Sequence, residues 1–315
     1  MISKLLAMKL HFGIARVFTV LMVFSGLTHA LPEGGSVKPI TVITHDDDSA
    51  LGRNDYERKL LELALDRTVS THGAYRIQAS PEGMTHPRAA RTMRLNQLPN
   101  YIRSFAYNNP IVEGEGFSFV KFPVYLGALG YRVCFVSEHS RHEVSAISSV
   151  EKLRDYTHVQ GLGWLDSLIL QANGFKVVHG NNFDSYYRMI SAGRADLFCR
   201  GINEFEAEYR VNKKTYGLVA EQNFVLYYPM PMFFYANDKS HEVLTRLSIG
   251  LRLAYEDGSI AKLWENHYAN TIALSCVNER NIIRLKNPLI GDELGEIEEY
   301  FVNDTRMRSF GCANR

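Results

Sequence analysis

Residues 183–201 read FDSYYRMISAGRADLFCRG, and the reading of this stretch decides the architecture of the chain. Its first half follows a helical pattern. Asp184 is placed to cap the start, and Gly193 suits the left-handed position that ends a helix. Residues 195–199, ADLFC, are a short apolar run of the kind a buried strand carries, and INEFEAEYRVN then resumes a helix. Arg194 and Asp196 have an ordinary place as turn residues at a helix end. Arg200 does not, because a charge at the end of a buried strand is costly unless it is paired or faces water. Two readings follow. Arg200 faces a wet cleft and a ligand, or it pairs with Glu204 or Glu206.

Moving outward, the same alternation recurs. PITVIT (39–44) is a β-branched strand signal. The stretch YERKLLELALDRTVS carries Tyr56, Leu60, Leu61, Ala64 and Leu65 at helical spacing, and AYRIQAS (74–80) is a second strand. Strand, helix and strand at this spacing form a βαβ unit, hence a parallel pair. MTHPRAARTMRLNQ is a helix with Thr85 as N-cap and Pro87 early, where proline is tolerated. Residues 108–124 are rich in Gly and Asn and give no clear pattern. YRVCFVS (131–137) is a strand, SAISSVEKLRDY a short helix, and THVQGLGWLDSLILQANGF runs from strand through Gly161 and Gly163 into a helix, followed by the strand KVVHG. The strand-and-helix pattern falls into two blocks, which meet near 131–137 and again near FVLYYPMPMFFYAND (224–238). Beyond them, Val243, Leu244, Leu247, Leu251 and Ala254 mark one helix face. Asp257-Gly258 breaks that helix, and Ile260, Leu263 and Trp264 begin another. The tail from Ile272 to Arg315 is polar and irregular.

The first thirty residues are expected to lie outside the fold. Lys4, Lys9 and Arg16 precede the apolar VFTVLMVFSGLTHA, which ends in Thr28-His29-Ala30, so residues 1–30 read as a cleaved secretory signal. Removing their three cations leaves 32 Lys and Arg against 34 Asp and Glu, a formal charge of −2, which argues against a nucleic-acid binder. The remaining length suits two lobes of ordinary domain size. Of the four cysteines, Cys134 and Cys199 sit in apolar runs and read as buried thiols. Cys276 and Cys312 lie in the polar tail and are the candidates for a disulfide.

In its order and spacing the chain resembles a family 3 bacterial solute-binding protein, on a branch divergent from the amino-acid binders. Three stretches carry the resemblance: SSVEKLRDYTHVQGLGWLDSLI, FDSYYRMISAGRADLFCRG and KSHEVLTRLSIGLRLAYEDGSIAKLWENHY. It covers roughly residues 38–268. It implies a type II periplasmic binding fold, α/β and two-lobed, each lobe a sheet flanked by helices and joined by two crossover strands. Residues 31–132 and 236–315 would form lobe 1 with the C-terminal tail, and 133–235 lobe 2, with the crossovers near 133–137 and 229–236.

The resemblance also places a site. The family's glycine turn contacts the ligand's carboxylate, and Leu162, Gly163 and Trp164 hold those positions here. A helix start of this kind exposes backbone N–H groups and attracts anions; the other reading is a plain tight turn with Trp164 in the core. Amino-acid binders often carry an Asp just beyond the Gly-Arg-x-Asp strand, where this chain has Gly201 beside Arg200. They also carry an Arg before a segment that Phe122-Pro123-Val124-Tyr125 resembles. That Arg is absent, with Lys121 and Arg132 the nearby cations. His45 and Asp46 follow the first strand and should face the cleft, because ligands gather at the carboxyl ends of strands. The HDDD run around them reads as a solvated loop rather than a metal site. The ligand-binding set is therefore Arg200, Gly163, Trp164, His45, Asp46 and Tyr125, with no cofactor. No G-x-S-x-G, H-E-x-x-H or phosphate loop occurs, and nothing marks Glu113 or Glu115 as an acid–base group. The expected function is binding of a small polar, carboxylate-bearing solute in the periplasm and its delivery to a membrane transporter, with a ligand-sensing module for a signalling protein or a small dehydratase-like enzyme on the same fold as the alternatives.

Overall fold

The structure, a computed structural model, describes residues 38–45, 53–81, 84–291, 295 and 297–313. The signal reading of residues 1–30 and the placement of Asp46 lie outside them.

Strand β1 (Ile40–Thr44) leads to helix α1 (Arg53–Asp66), a short α2 (Val69–His72) and β2 (Tyr75–Ala79), which runs parallel to β1 with Ile40 opposite Tyr75. The spaced apolar residues of α1, Tyr56, Leu60, Leu61, Ala64 and Leu65, are all fully buried. Helix α3 (His86–Arg94) starts on Thr85, whose hydroxyl accepts from the Arg88 N–H. Strand β3 (Tyr101–Ala106) follows, parallel to β1 and buried along its whole length. The sequence patterns do not flag it, because Arg103 and Ser104 interrupt the apolar run. The fold satisfies both: an Arg103 Nη1 donates to the Met84 carbonyl at 3.0 Å, and the Ser104 hydroxyl donates to Glu57. After the two-residue β4 (Ser118–Phe119) the chain leaves this sheet.

The next stretch runs through β5 (Tyr131–Ser137), α4 (Arg141–Ser145), α5 (Val150–Leu153), β6 (Thr157–Gly161), α6 (Leu165–Ala172), β7 (Lys176–Gly180), α7 (Phe183–Ser191), β8 (Phe198–Gly201), α8 (Ile202–Tyr216), β9 (Leu218–Ala220) and β10 (Phe224–Tyr227), and supplies most of a second sheet. The chain then returns to the first sheet as β11 (Met232–Ala236), antiparallel to β3 and β4. It continues through α9 (His241–Glu256), α10 (Ser259–Ser275), β12 (Asn281–Arg284) and α11 (Asp304–Ser309). The first sheet has the order β2-β1-β3-β11-β4, and the second has β12-β10-β5-β8 with β9 also on β5. The parallel pair β6–β7 meets the second sheet through a bridge between His158 and Leu197.

Several local readings shift. Helix α7 is capped by Asn182 in a reciprocal box with Ser185, while Asp184 sits in the first turn and pairs with Arg188 at 2.8 Å. Gly193 takes φ +65°, the left-handed value its place requires. The strand read as 195–199 runs two residues further, so Arg200 and Gly201 lie inside β8, opposite Val133 and Arg132 of β5. Cys134 and Cys199 are not free thiols: they face each other in register on these strands and are joined as a disulfide, buried on both sides. Cys276 and Cys312 are joined as well. Glu279 lies beside that bridge, but with the sulfurs bonded to each other the trio is no metal-ligand set.

One apolar cluster runs from α1 and α9 under the first sheet through Tyr125 and Leu129 to Phe135, Tyr187 and Phe198 of the second. The opposite face of the second sheet, with Cys134, Val136 and Cys199, packs on a separate cluster that includes Ile169 and Leu170 of α6. The crossings between sheets fall in the segment from β4 to β5 and in residues 228–231, and β11 pairs wholly in the first sheet. The tail does not stay on the first-sheet side: β12 adds a parallel edge to β10 in the second sheet. Among the described residues no helix is long and apolar enough to cross a membrane.

Candidate functional site

Because β8 passes directly into α8, residues one and two helical turns later swing back over its last side chain. Arg200 is 4 % exposed. Its guanidinium forks onto Glu208, Nε to Oε2 at 2.9 Å and Nη2 to Oε1 at 3.0 Å, and Nη2 lies 2.9 Å from Oε1 of Glu204. Glu208 also accepts the Tyr187 hydroxyl at 3.0 Å. Glu206 pairs instead with Arg210 on the outer face. Burial opposes the charge on Arg200, but Glu204 and Glu208 together outweigh it and hold the group above its ordinary pKa. The guanidinium also lies over three aromatic rings: Trp164 at 4.9 Å, Phe183 at 5.4 Å and Phe198 at 5.5 Å.

Trp164 enters this group from the turn after β6. Gly163 takes φ +78°, which reverses the chain and lays the indole of Trp164 back across Gly161, where a Cβ would collide with the ring. Trp164 is half-buried and packs edge-on to Tyr186, while Leu162 at the tip is exposed. The start of α6 is not an open anion site. The Trp164 N–H returns to the Gly161 carbonyl at 3.1 Å, and Asp166 brings a carboxylate into the first helical turn. Asp166 accepts the Tyr228 hydroxyl at 2.6 Å and lies 3.2 Å from Nη2 of Arg132. Both members of that ion pair are buried. Burial opposes the Arg132 charge; Asp166, Tyr228 and Glu204 outweigh it.

On the side of the first sheet, Tyr125 is 8 % exposed and donates its hydroxyl to Oε1 of Glu57 at 2.5 Å. The same oxygen accepts from Ser104. Burial, then the Glu57 charge, pushes the Tyr125 hydroxyl well above its ordinary pKa, and Glu204 adds to the effect. Burial, with Tyr56, Glu57 and Glu204 adding, pushes the hydroxyl of Tyr268 of α10 well above its ordinary pKa. Both tyrosines therefore feel two carboxylates, Glu57 of α1 and Glu204 of α8. His45 is half-buried at the end of β1.

The structure thus brings Arg200 and Trp164 into contact, with Gly163 shaping the turn. Tyr125 lies beside Glu57. Sequence reasoning missed Glu57, Asp166, Glu208 and Tyr268. Glu57 and Tyr268 sit on helical faces whose apolar periodicity hides them. Glu208 is eight positions from its partner, beyond the span over which spacing pairs side chains on one helix face.

No family model matches the chain, and no curated protein does. Solved structures do match. The ligand-binding core of GluR0 in complex with L-glutamate superposes with a TM-score of 0.51 at 12 % identity, over 74 % of this chain and all of that one (100 %). The VFT2 domain of Bordetella pertussis BvgS gives 0.51 at 16 % identity, over 72 % of this chain and 92 % of that one. An ancestral arginine-binding protein bound to glutamine gives 0.50 at 15 %, over 73 % and 97 %. The fold is that of the two-lobed periplasmic binding proteins. Those neighbours are covered almost whole, while about a quarter of this chain lies outside the match.

Proposed function

We propose that the protein binds a small polar, carboxylate-bearing solute between its lobes, in the periplasm, and presents it to a membrane transporter. It acts by binding rather than by turnover. The observation that carries this reading is Arg200, a buried cation at the carboxyl end of a second-sheet strand, whose partner Glu204 also acts on Tyr125 and Tyr268. The Arg200 fork is held by Glu208, 2 % exposed. Glu204, 17 % exposed, meets it at Nη2. A solute carboxylate would take the place of Glu204 there and keep the charge balance of the group. The lobes, with boundaries near residues 132 and 235, would enclose the solute between them. Trp164 and Tyr125 would line the pocket, with His45 and Asp46 at its rim.

Native mass spectrometry of the exported protein identifies a retained solute, and titration calorimetry then tests the site. Arg200→Ala is expected to lower affinity about ten- to hundredfold, the equivalent of a charge-assisted hydrogen bond of about 1.5–3 kcal/mol. Lys rescues only partly, because it cannot fork onto two oxygens. Glu204→Gln is expected to tighten binding. Unchanged affinity in a folded Arg200→Ala protein ends the proposed contact. Gene deletion distinguishes the receiver: impaired uptake marks a transporter, and altered gene expression or motility marks a sensor.

A further inference from the structure

The C-terminal tail lies mostly beyond the sequence that resembles solute-binding proteins, and it is laced across both crossings. It leaves α10 at Cys276 and is first fixed on the second-sheet side by Arg280. This residue is buried, and its guanidinium reaches the Ser275, Glu221 and Phe224 carbonyls and the Glu221 carboxylate. Strand β12 then pairs with β10, and the Leu285 N–H continues the ladder to the Tyr227 carbonyl at 2.8 Å. At the second crossing, Asn287 Nδ2 donates to the Pro229 carbonyl at 2.8 Å.

The tail next returns to the first-sheet side. Asn108 donates to the Leu289 carbonyl, and Ile297 is buried in the cluster around Phe105 and Phe233. At the first crossing the Val302 N–H donates to the Leu126 carbonyl at 2.8 Å. The Phe301 ring lies so close to Gly127 that a Cβ there would collide with it, and Gly127 takes φ +74°. Asp304 accepts the Tyr131 hydroxyl at 2.5 Å, where β5 begins, and pairs with Arg284 at the end of β12. The disulfide from Cys312 back to Cys276 closes the loop.

We infer that the tail is a strap on the hinge. It adds two passages of chain between the lobes to the two crossovers and is bonded to both of them, so it holds the lobes in one relative arrangement whether or not a solute is present. Hinge closure needs a few residues free to change φ and ψ. Here the Leu126 and Pro229 carbonyls, the Tyr131 hydroxyl and one face of Gly127 are engaged by the tail. This inference rests on the two-lobed fold and not on the identity, or the existence, of a bound solute.

The test is an inter-lobe distance measurement on the full chain without solute. Spin labels are carried on non-natural residues replacing exposed Arg91 of α3 and Arg188 of α7, which spares the disulfides. The native tail is expected to give one narrow distance distribution. Phe301→Ala with Asn287→Ala is expected to give a second, longer population, with circular dichroism unchanged. Asn287→Ala alone, a milder change, serves if the double variant does not fold, and is expected to broaden the distribution. A broad distribution with the native tail, or an unchanged narrow one in the folded variant, overturns the strap. Either result leaves solute binding to be judged by calorimetry alone.

Discussion

The two groups of buried charge, around Arg200 and around Glu57, are compensated in opposite ways. On the second-sheet side each cation has its own carboxylate: Arg200 has Glu208 and Glu204, and Arg132 has Asp166. On the first-sheet side, Glu57 is held by two hydroxyls, those of Ser104 and Tyr125. An ion pair in a dry setting is sensitive to loss of one partner, because the other charge is left buried and uncompensated. A carboxylate held by neutral donors loses only a hydrogen bond when one donor goes. The second-sheet side is therefore the rigid, self-balanced group, and the first-sheet side the tolerant one.

The strongest way to break this contrast is Glu208→Ala. It strips the fork from Arg200 and leaves the Tyr187 hydroxyl without its acceptor, and it should cost about 3–5 kcal/mol of stability in urea unfolding. A loss below about 1 kcal/mol would mean that Glu204 alone compensates the cation and that the fork is dispensable. Next comes Cys134→Ala with Cys199→Ala. The bridge pins β8, the strand that carries Arg200, to β5 across 65 positions of sequence, and its removal should cost about 2–4 kcal/mol. The same urea unfolding measures it, and equal stability of the two proteins would show that the ladder alone holds these strands.

Acid should also find the second-sheet side first. His158 of β6 is fully buried beside Phe175 and Cys199, and burial pushes its pKa down from 6.5 to about 3. The folded state keeps it neutral while the unfolded chain takes a proton. Its contribution is thus intact above the ordinary value of 6.5 and is lost progressively as pH falls towards 3. In His158→Leu the slope of stability against pH across that window should flatten, and an unchanged slope would assign the acid sensitivity elsewhere. The smallest effect is expected on the tolerant side. Tyr125→Phe leaves Glu57 with the Ser104 hydroxyl and should cost about 1 kcal/mol. A cost as large as that of Glu208→Ala would erase the distinction between the two sides.

Local patterns in the sequence determined most of the elements. The buried face of α1, the helix pair broken at Asp257-Gly258, and the glycine turns at 163 and 193 follow from short-range spacing and from backbone conformations that only glycine adopts freely. The order of these elements was enough to indicate a two-lobed α/β protein. Strand β3 stayed hidden because its polar residues find partners far away in sequence, at Met84 and Glu57. The sequence also posed the question of Arg200 correctly: a buried charge must be compensated. Which group compensates it was decided only when β8 turned straight into α8 and carried Glu208 back over the guanidinium. The same holds for Cys134 and Cys199, which become neighbours only through strand register, and for the tail, whose partners lie on both crossings. Periodicity reports how a segment meets its own neighbours along the chain, whereas the pairing of charges, sulfurs and hinge carbonyls depends on contacts that only the folded topology creates.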